Sequence, residues 1–246
     1  MDISLKDKNV LVTGAATGIG KAIAIAFSAA GARVFVNHLE QTAAAQLMVS
    51  KGHCEQHYSA DVSSKSSVVK MVSDISKEYG GVDILVNNAG ISYPKPFLEI
   101  SEEEWEQTLN VNLKGAMLCS QAVIPDMLEK GEGVIINIVS ELGYLGREKF
   151  CAYTASKGAL ITLTRSLARE FAPIIRVNGI APGPVMTDML KGEIKTEDDL
   201  KKEMAIPMQR VGEPNDIAAS AVFLASDYAR FYCGDILSPN GGALMR

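Results

Sequence analysis

Short runs of β-branched and aliphatic residues alternate along the chain with longer segments of helical periodicity. NVLVT (9–13) reads as a strand, and the Ala-rich KAIAIAFSAAG after it as a helix. ARVFVN (32–37) reads as a second strand, and QTAAAQLMVSKG as a helix ending at glycine. CEQHYSA leads into a helix from about residue 63 to 79, and VDILVN (82–87) is again a strand. Ser101, with Glu104 three residues later, has the spacing of a capping box that opens a helix. Its helical pattern runs on towards Leu128. GVIINIV (133–139) reads as a buried strand, 153–171 as a helix and IIRVNGI as a strand. A last helix at 216–225 and a short strand, DILS (235–238), complete the pattern.

Strand–helix alternation over a whole chain predicts an α/β fold with a doubly wound parallel sheet. Right-handed crossovers then put helices on both faces. The 246 residues fit one such domain with a sizeable core. One stretch breaks the alternation. Residues 184–207 carry a glycine, mixed charge (KGEIKTEDDLKKE) and weak sheet character. A long insertion of this kind suits a lid over a site, or else a plain surface excursion.

Composition narrows the function classes. A net charge of −5, with no block of like charges, gives no basic surface for nucleic acid. The N-terminus is charged at once, and no uncharged run approaches the ~20 apolar residues that span a bilayer. The expectation is a soluble, cytoplasmic protein. Cys54, Cys119, Cys151 and Cys233 are scattered with no C-x-x-C, as reduced thiols would be. His53, Cys54 and His57 in GHCEQHY fall on both faces of a strand and lack zinc-site spacing, so no metal is expected.

Candidate chemistry begins after the first strand, in TGAATGIGKA. Gly14, Gly18 and Gly20 stand where a strand turns into a helix. Glycine permits the sharp turn and the close approach of a ligand. The helix start offers free N–H groups and a positive dipole end, which suit a pyrophosphate. An NTPase-type phosphate loop would need Gly-Lys followed by Ser or Thr, but Gly20-Lys21 is followed by Ala22. A Rossmann-type dinucleotide fold is the expectation. Further along, FCAYTASKGAL sets Tyr153 four residues before Lys157, on one helix face.

The spacing T-G-x-x-x-G-x-G resembles the short-chain dehydrogenase/reductase family. Further motifs match in order: NNAG (87–90), NVNLKG (110–115), Ser140 at the end of the fifth strand, Tyr153-x-x-x-Lys157, and PGPVMTD (182–188). The resemblance covers essentially the whole chain. It implies an oxidoreductase acting on secondary alcohols or ketones, with a Ser-Tyr-Lys-Asn mechanism. Tyr153 would be the general acid/base and Ser140 would hydrogen-bond the substrate oxygen. Lys157 would hold the nicotinamide ribose and, as a cation, lower the phenol pKa. Asn112 would hold a water linking Lys157 to solvent. Taken singly, each has an ordinary reading: a surface ion contact, a turn cap, a solvated amide. Together they point to catalysis.

The resemblance also implies cofactor contacts. Gly14, Thr17, Gly18, Ile19 and Gly20 match the pyrophosphate loop, and Asp61 and Val62 the adenine pair. Asn88, Ala89 and Gly90 match the ribose wall. Pro182, Gly183, Val185 and Thr187 match the segment beside the nicotinamide. An acid at the end of the second strand would favour NAD by repelling a 2′-phosphate. That strand ends VFVNHLE, with no acid at His38. His38 or Asn37 could instead contact a phosphate. NADP(H) is therefore favoured, with NAD(H) the alternative.

The pocket is expected to include Ser92, Tyr93, Glu141, Leu142, Arg147, Phe150, Pro184 and Met186. Glu141 would bind the hydroxyls of a sugar or polyol, or else be a solvated loop charge. A small carbonyl compound is a further candidate. A 3-oxoacyl-[acyl-carrier-protein] reductase is the main alternative, with Lys130 and Arg176 as its basic docking residues. A dinucleotide-sensing regulator without catalysis would be expected to lack part of the tetrad, which is complete here. The resemblance further implies a homotetramer.

Overall fold

A computed structural model describes residues 3–245. The apolar runs pair into a parallel sheet of seven strands: β1 Asn9–Val12, β2 Arg33–His38, β3 Gln56–Ser59, β4 Ile84–Asn87, β5 Gly133–Ile138, β6 Ile175–Ile180 and β7 Ile236–Leu237. Their order is β3-β2-β1-β4-β5-β6-β7. All ladders are parallel, with Val10 opposite both Val34 and Ile84. Parallel strands are covered on both faces, which is why these segments read as near-continuous apolar runs.

The described residues form ten α-helices: α1 Gly18–Ala29, α2 Thr42–Ser50, α3 Lys65–Tyr79, α4 Glu102–Leu109, α5 Gly115–Lys130, α6 Leu142–Leu145, α7 Cys151–Phe171, α8 Asp188–Glu193, α9 Glu197–Met204 and α10 Pro214–Ala225. Strand alternation sorts the core into two layers. Val10, Val12, Val34 and Val36 pack with Ile23 and Phe27 of α1 and Ile217 and Leu224 of α10. Leu11, Phe35, Leu85 and Ile135 pack on the other face with Val68 and Met71 of α3 and Val123 and Met127 of α5. Phe27 is fully buried, so Phe27→Ala would cost about 3–5 kcal/mol.

The elements follow the sequence pattern with shifts at their ends. The capping box is present: Ser101 Oγ accepts from Glu104 N at 3.2 Å, and Glu104 Oε2 from Ser101 N at 3.1 Å. Pro214, at the start of α10, stands where its missing N–H costs nothing. Three features depart from the pattern. A π-helical turn, Asn110–Lys114, separates α4 from α5. The short helix α6 follows β5. Residues 184–207 hold two short helices, α8 and α9. The chain reverses direction across the sheet between β1 and β4, and a crevice opens there at the strands' carboxyl ends.

Candidate active site

β1 leads into a loop held open by hydrogen bonds rather than by packing. Gly14 has φ +60°, and a Cβ on it would fall 2.8 Å from Ala89 Cα. A Cβ on Gly20 would fall 2.7 Å from the Gly14 carbonyl oxygen. Both positions therefore require glycine. Thr13 Oγ1 accepts from the backbone N–H of Asn88 (3.0 Å) and of Ala89 (3.1 Å). Asn88 Nδ2 donates to the carbonyls of Thr13 and Gly14. Asn37 Oδ1 accepts from Gly14 N, while its Nδ2 donates to the Ala60 carbonyl at 2.8 Å. Thr17 is the N-cap residue of α1, and its side chain makes no capping bond. The first N–H groups of α1 therefore have no side-chain acceptor from their cap and can take an anion. This cradle fits a dinucleotide pyrophosphate.

The second half of the site stands where β5 meets α7. Lys157 is buried, and its Nζ donates to the Ile138 carbonyl at 2.8 Å. It lies 5.7 Å from the centre of the Tyr153 ring. A Cβ on Gly90 would come within 3.6 Å of the same Nζ, so the ammonium borders the NNAG loop. The Ser140 and Tyr153 hydroxyls face each other, Ser140 favouring the ionised phenol. Ser140 Oγ also accepts from Leu142 N at 3.1 Å. Asn112 lies beneath, in the π-helical turn. Its Oδ1 accepts from Ile91 N at 2.8 Å, and its Nδ2 donates to the Ile91 carbonyl and to Ser156 Oγ, each at 3.0 Å. Its amide thus braces the loop after Gly90.

Burial dominates the titration of this pair. It pushes the Tyr153 phenol up to about 12, with Glu193 and Glu141 acting in the same sense and the Ser140 hydrogen bond opposing. It pushes the Lys157 ammonium down to about 8. Burial sets the phenol, so Tyr153 keeps its proton at neutral pH.

These groups face a cleft of about 420 Å³, within the range of small-molecule sites. Gly14, Thr17, Gly18, Ile19, Asn37, Asp61 and Val62 line its loop end. Asn88, Ala89, Gly90, Pro182, Gly183, Val185 and Thr187 line its middle, beside Tyr153 and Lys157. Ser92, Ser140, Glu141, Leu142, Arg147, Phe150 and Pro184 line the far end. Asp61 also makes a turn, its Oδ1 accepting from Ser63 N and Ser63 Oγ. Ser64 caps α3.

Besides Asn112, four expected residues are absent from the cleft wall. His38 is buried against β3, its Nε2 3.0 Å from His57 Nδ1. Burial and then His57 hold its pKa below the ordinary value, so it supplies no cation to a phosphate. Asn37 and His38 are adjacent in a strand and point to opposite faces, and Asn37 has the cleft side. Gly20 lies behind the loop. Met186 is held by its N–H on the Gly212 carbonyl and does not reach the cleft. Tyr93 is largely exposed and bonds Gln107 Oε1 at 3.3 Å. Among the described residues no group of three or more His, Cys, Asp or Glu could hold a metal ion, and no helix is long and apolar enough to cross a membrane.

The structure adds residues that sequence reasoning missed. Leu39 and Gln41 line the loop end. Glu193 of α8 and Glu203 of α9 close the far end, where Glu203 pairs with Arg147. The Arg147 guanidinium also stacks over Phe150, at 5.0 Å. Glu141 is buried, not a solvated loop charge. Burial and the neighbouring Glu203 push its carboxyl up to about 7, against Arg147. Burial likewise raises Glu193. The acidic spacing of KGEIKTEDDLKKE was visible in the sequence, but nothing local says which acids turn inward.

Comparison with known proteins decides the family. A family model described as enoyl-(acyl carrier protein) reductase matches residues 14–243. The 3-oxoacyl-[acyl-carrier-protein] reductase FabG of Staphylococcus epidermidis is 39% identical over 246 residues, covering 97% of this chain and 100% of that protein. The chain belongs to the short-chain dehydrogenase/reductase family. The NAD-dependent glycerol dehydrogenase of Listeria innocua is 38% identical over 253 residues, covering 100% of this chain and 97% of its own. A Brucella melitensis crystal structure titled as a glucose/ribitol short-chain dehydrogenase superposes with a TM-score of 0.93 at 32% identity, with both chains fully covered. This short-chain dehydrogenase/reductase is accordingly an oxidoreductase that uses a nicotinamide cofactor, NAD(P)(H).

Proposed function

We propose that this enzyme interconverts a secondary alcohol and a ketone on a small, polar, uncharged compound. The observation that carries the reading is the Ser140–Tyr153 hydroxyl pair beside the buried Lys157 ammonium, in the same cleft as the glycine loop. The glycine loop, residues 88–90 and Lys157 would hold a nicotinamide cofactor, which would supply the hydride chemistry at the substrate carbon. Ser140 positions the substrate oxygen and Tyr153 delivers its phenolic proton there. Lys157, fixed on the Ile138 carbonyl, sets the field around that oxygen. Asn112 acts as a positioning residue by fixing Ile91. A phenol that keeps its proton at neutral pH is available as the donor for carbonyl reduction. The segment 184–207 serves as a lid, tied down by the Arg147–Glu203 pair.

Either cofactor fits the loop, with NADH used at least as well as NADPH. The cation that His38 would have supplied is turned away, and Arg147 and Lys157 are the basic residues lining the cleft, neither at its loop end.

A second reading, 3-oxoacyl reduction, is favoured by the name of the Staphylococcus epidermidis relative. Two observations weigh against it. Lys130 is paired with Asp83, and Arg176 donates to the carbonyls of Leu224 and Ala229, so neither basic residue is free to dock a carrier. The buried Glu141 would also face an alkyl chain. A screen of ketones, hydroxy ketones and a 3-oxoacyl thioester with both cofactors, followed by nicotinamide absorbance, tests the choice. Turnover confined to the thioester would overturn the first reading.

A further inference from the structure

Two polar atoms in the cleft wall have no partner. Glu141 keeps 7% of its surface exposed, and its Oε2 is buried with no hydrogen bond. Ser92 Oγ is in the same condition. Both residues line the cleft that holds the Ser140–Tyr153 pair, and Glu141 directly follows Ser140. A buried carboxyl oxygen without a hydrogen bond is costly, and here, on the wall of the cleft, a ligand can complete it. Glu141 is not held there by an ion pair. Arg147, the nearby cation, is engaged by Glu203 and by the Phe150 ring. Its backbone fixes it instead: Glu141 N donates to the Pro182 carbonyl at 3.1 Å, and its own carbonyl caps the turn of α6.

A hydroxyl group is the ligand that fits. It donates to a carboxylate and accepts from a carboxylic acid, so it bonds Glu141 in either protonation state. An alkyl group would leave the carboxyl unpaired. A carboxylate or phosphate would meet Glu141 and Glu193, with Arg147 already paired to Glu203 and Lys157 bonded to the Ile138 carbonyl. We infer that Glu141 and Ser92 form a second polar subsite that takes a hydroxyl next to the reacting carbon, so that the substrates are vicinal hydroxy ketones and diols. This rests on the proposed hydride transfer and narrows it to a substrate class.

The test uses two ketones of one shape, hydroxyacetone and 2-butanone, which differ by a hydroxyl in place of a methyl. With saturating cofactor, wild-type kcat/KM should favour hydroxyacetone by ~10-fold or more, because a site built for a hydroxyl rejects the analogue lacking it. Acetoacetate should fall below both. In Glu141→Leu the ratio of hydroxyacetone to 2-butanone should drop towards unity. Glu141→Gln, which still hydrogen-bonds, should retain more of it, and Ser92→Ala should lower it partway. Glu141→Gln and Ser92→Ala keep the test open if Glu141→Leu fails to fold. Equal wild-type rates, or a ratio untouched by all three changes, would overturn the subsite while leaving the hydride-transfer reading intact. No turnover of any ketone with either cofactor would overturn both.

Discussion

Asn112 grips the backbone of Ile91 with both ends of its amide, accepting from the N–H and donating to the carbonyl. The loop that carries Gly90 and Ser92 is thereby pinned to the helix that runs under the site. Asn112→Ala would strand half-buried polar groups on Ile91, at no more than about 1–3 kcal/mol each. A melting temperature lowered by several degrees is expected from a loss of that size, at roughly 2–4 °C per kcal/mol for a domain this long. Turnover should fall with it. Asn112→Asp keeps the acceptor but loses the donor, and should be intermediate in thermal melts. Unchanged stability in Asn112→Ala would show that the grip is ornamental.

Two buried groups titrate in opposite senses. Glu141 binds its proton more tightly folded, at about 7, than unfolded, near ~4.5. Its contribution is full below the unfolded value and is lost as pH rises through 7. Glu141→Gln should therefore gain stability on wild type between pH ~4.5 and 7, by at most about 3 kcal/mol. Lys157 is held down at about 8, so its buried charge destabilises the fold below that pH and the penalty is relieved above it. Denaturant melts of both proteins across this range check the first effect. For the second, kcat/KM for ketone reduction should decline with a midpoint near 8, where the ammonium is lost.

The loop end of the cleft should be convertible to NADP use by adding the charge that His38 does not supply. Leu39 and Gln41 line the cleft there. Gln41→Arg would place a guanidinium within the ribose end of the cleft. A charge-assisted bond of about 1.5–3 kcal/mol corresponds to a shift of ~10–100-fold in the NADPH to NADH ratio of kcat/KM. No shift would mean that the 2′-position lies elsewhere.

Leu98, Phe231 and Met245 are 94%, 99% and 76% exposed. The family resemblance implies association between copies, and these side chains are the contacts it would cover. We expect a homotetramer, seen by light scattering as a mass about four times 26.3 kDa. Phe231→Asp should shift it towards smaller species. A wild-type monomer would contradict the expectation.

Local chemistry made the fold legible. The strands are unbroken apolar runs because both faces are covered, and Gly14 reads as a turn because β1 ends just before it. The Tyr153–Lys157 pair was legible because helical spacing fixes it. What escaped depends on contacts distant in sequence. Nothing near His38 says that it packs on His57 rather than on a ligand, since a strand buried on both sides hides its parity. Nothing near Lys130 or Arg176 reveals Asp83 or the end of α10 as their partners. Glu193 and Glu203 enter the cleft only because two short helices fold back over it. The π-helical turn that aims Asn112 at Ile91 has no sequence signature of its own.

The central claim is that Tyr153 delivers the proton. Tyr153→Phe removes one oxygen and keeps the ring beside Phe150 and Lys157. Measured on the best ketone from the screen, its kcat should fall by roughly 10²–10⁴-fold. Cofactor binding, followed by nucleotide fluorescence, and the melting temperature should both hold. Turnover within a few-fold of wild type, with cofactor still bound, would contradict the account.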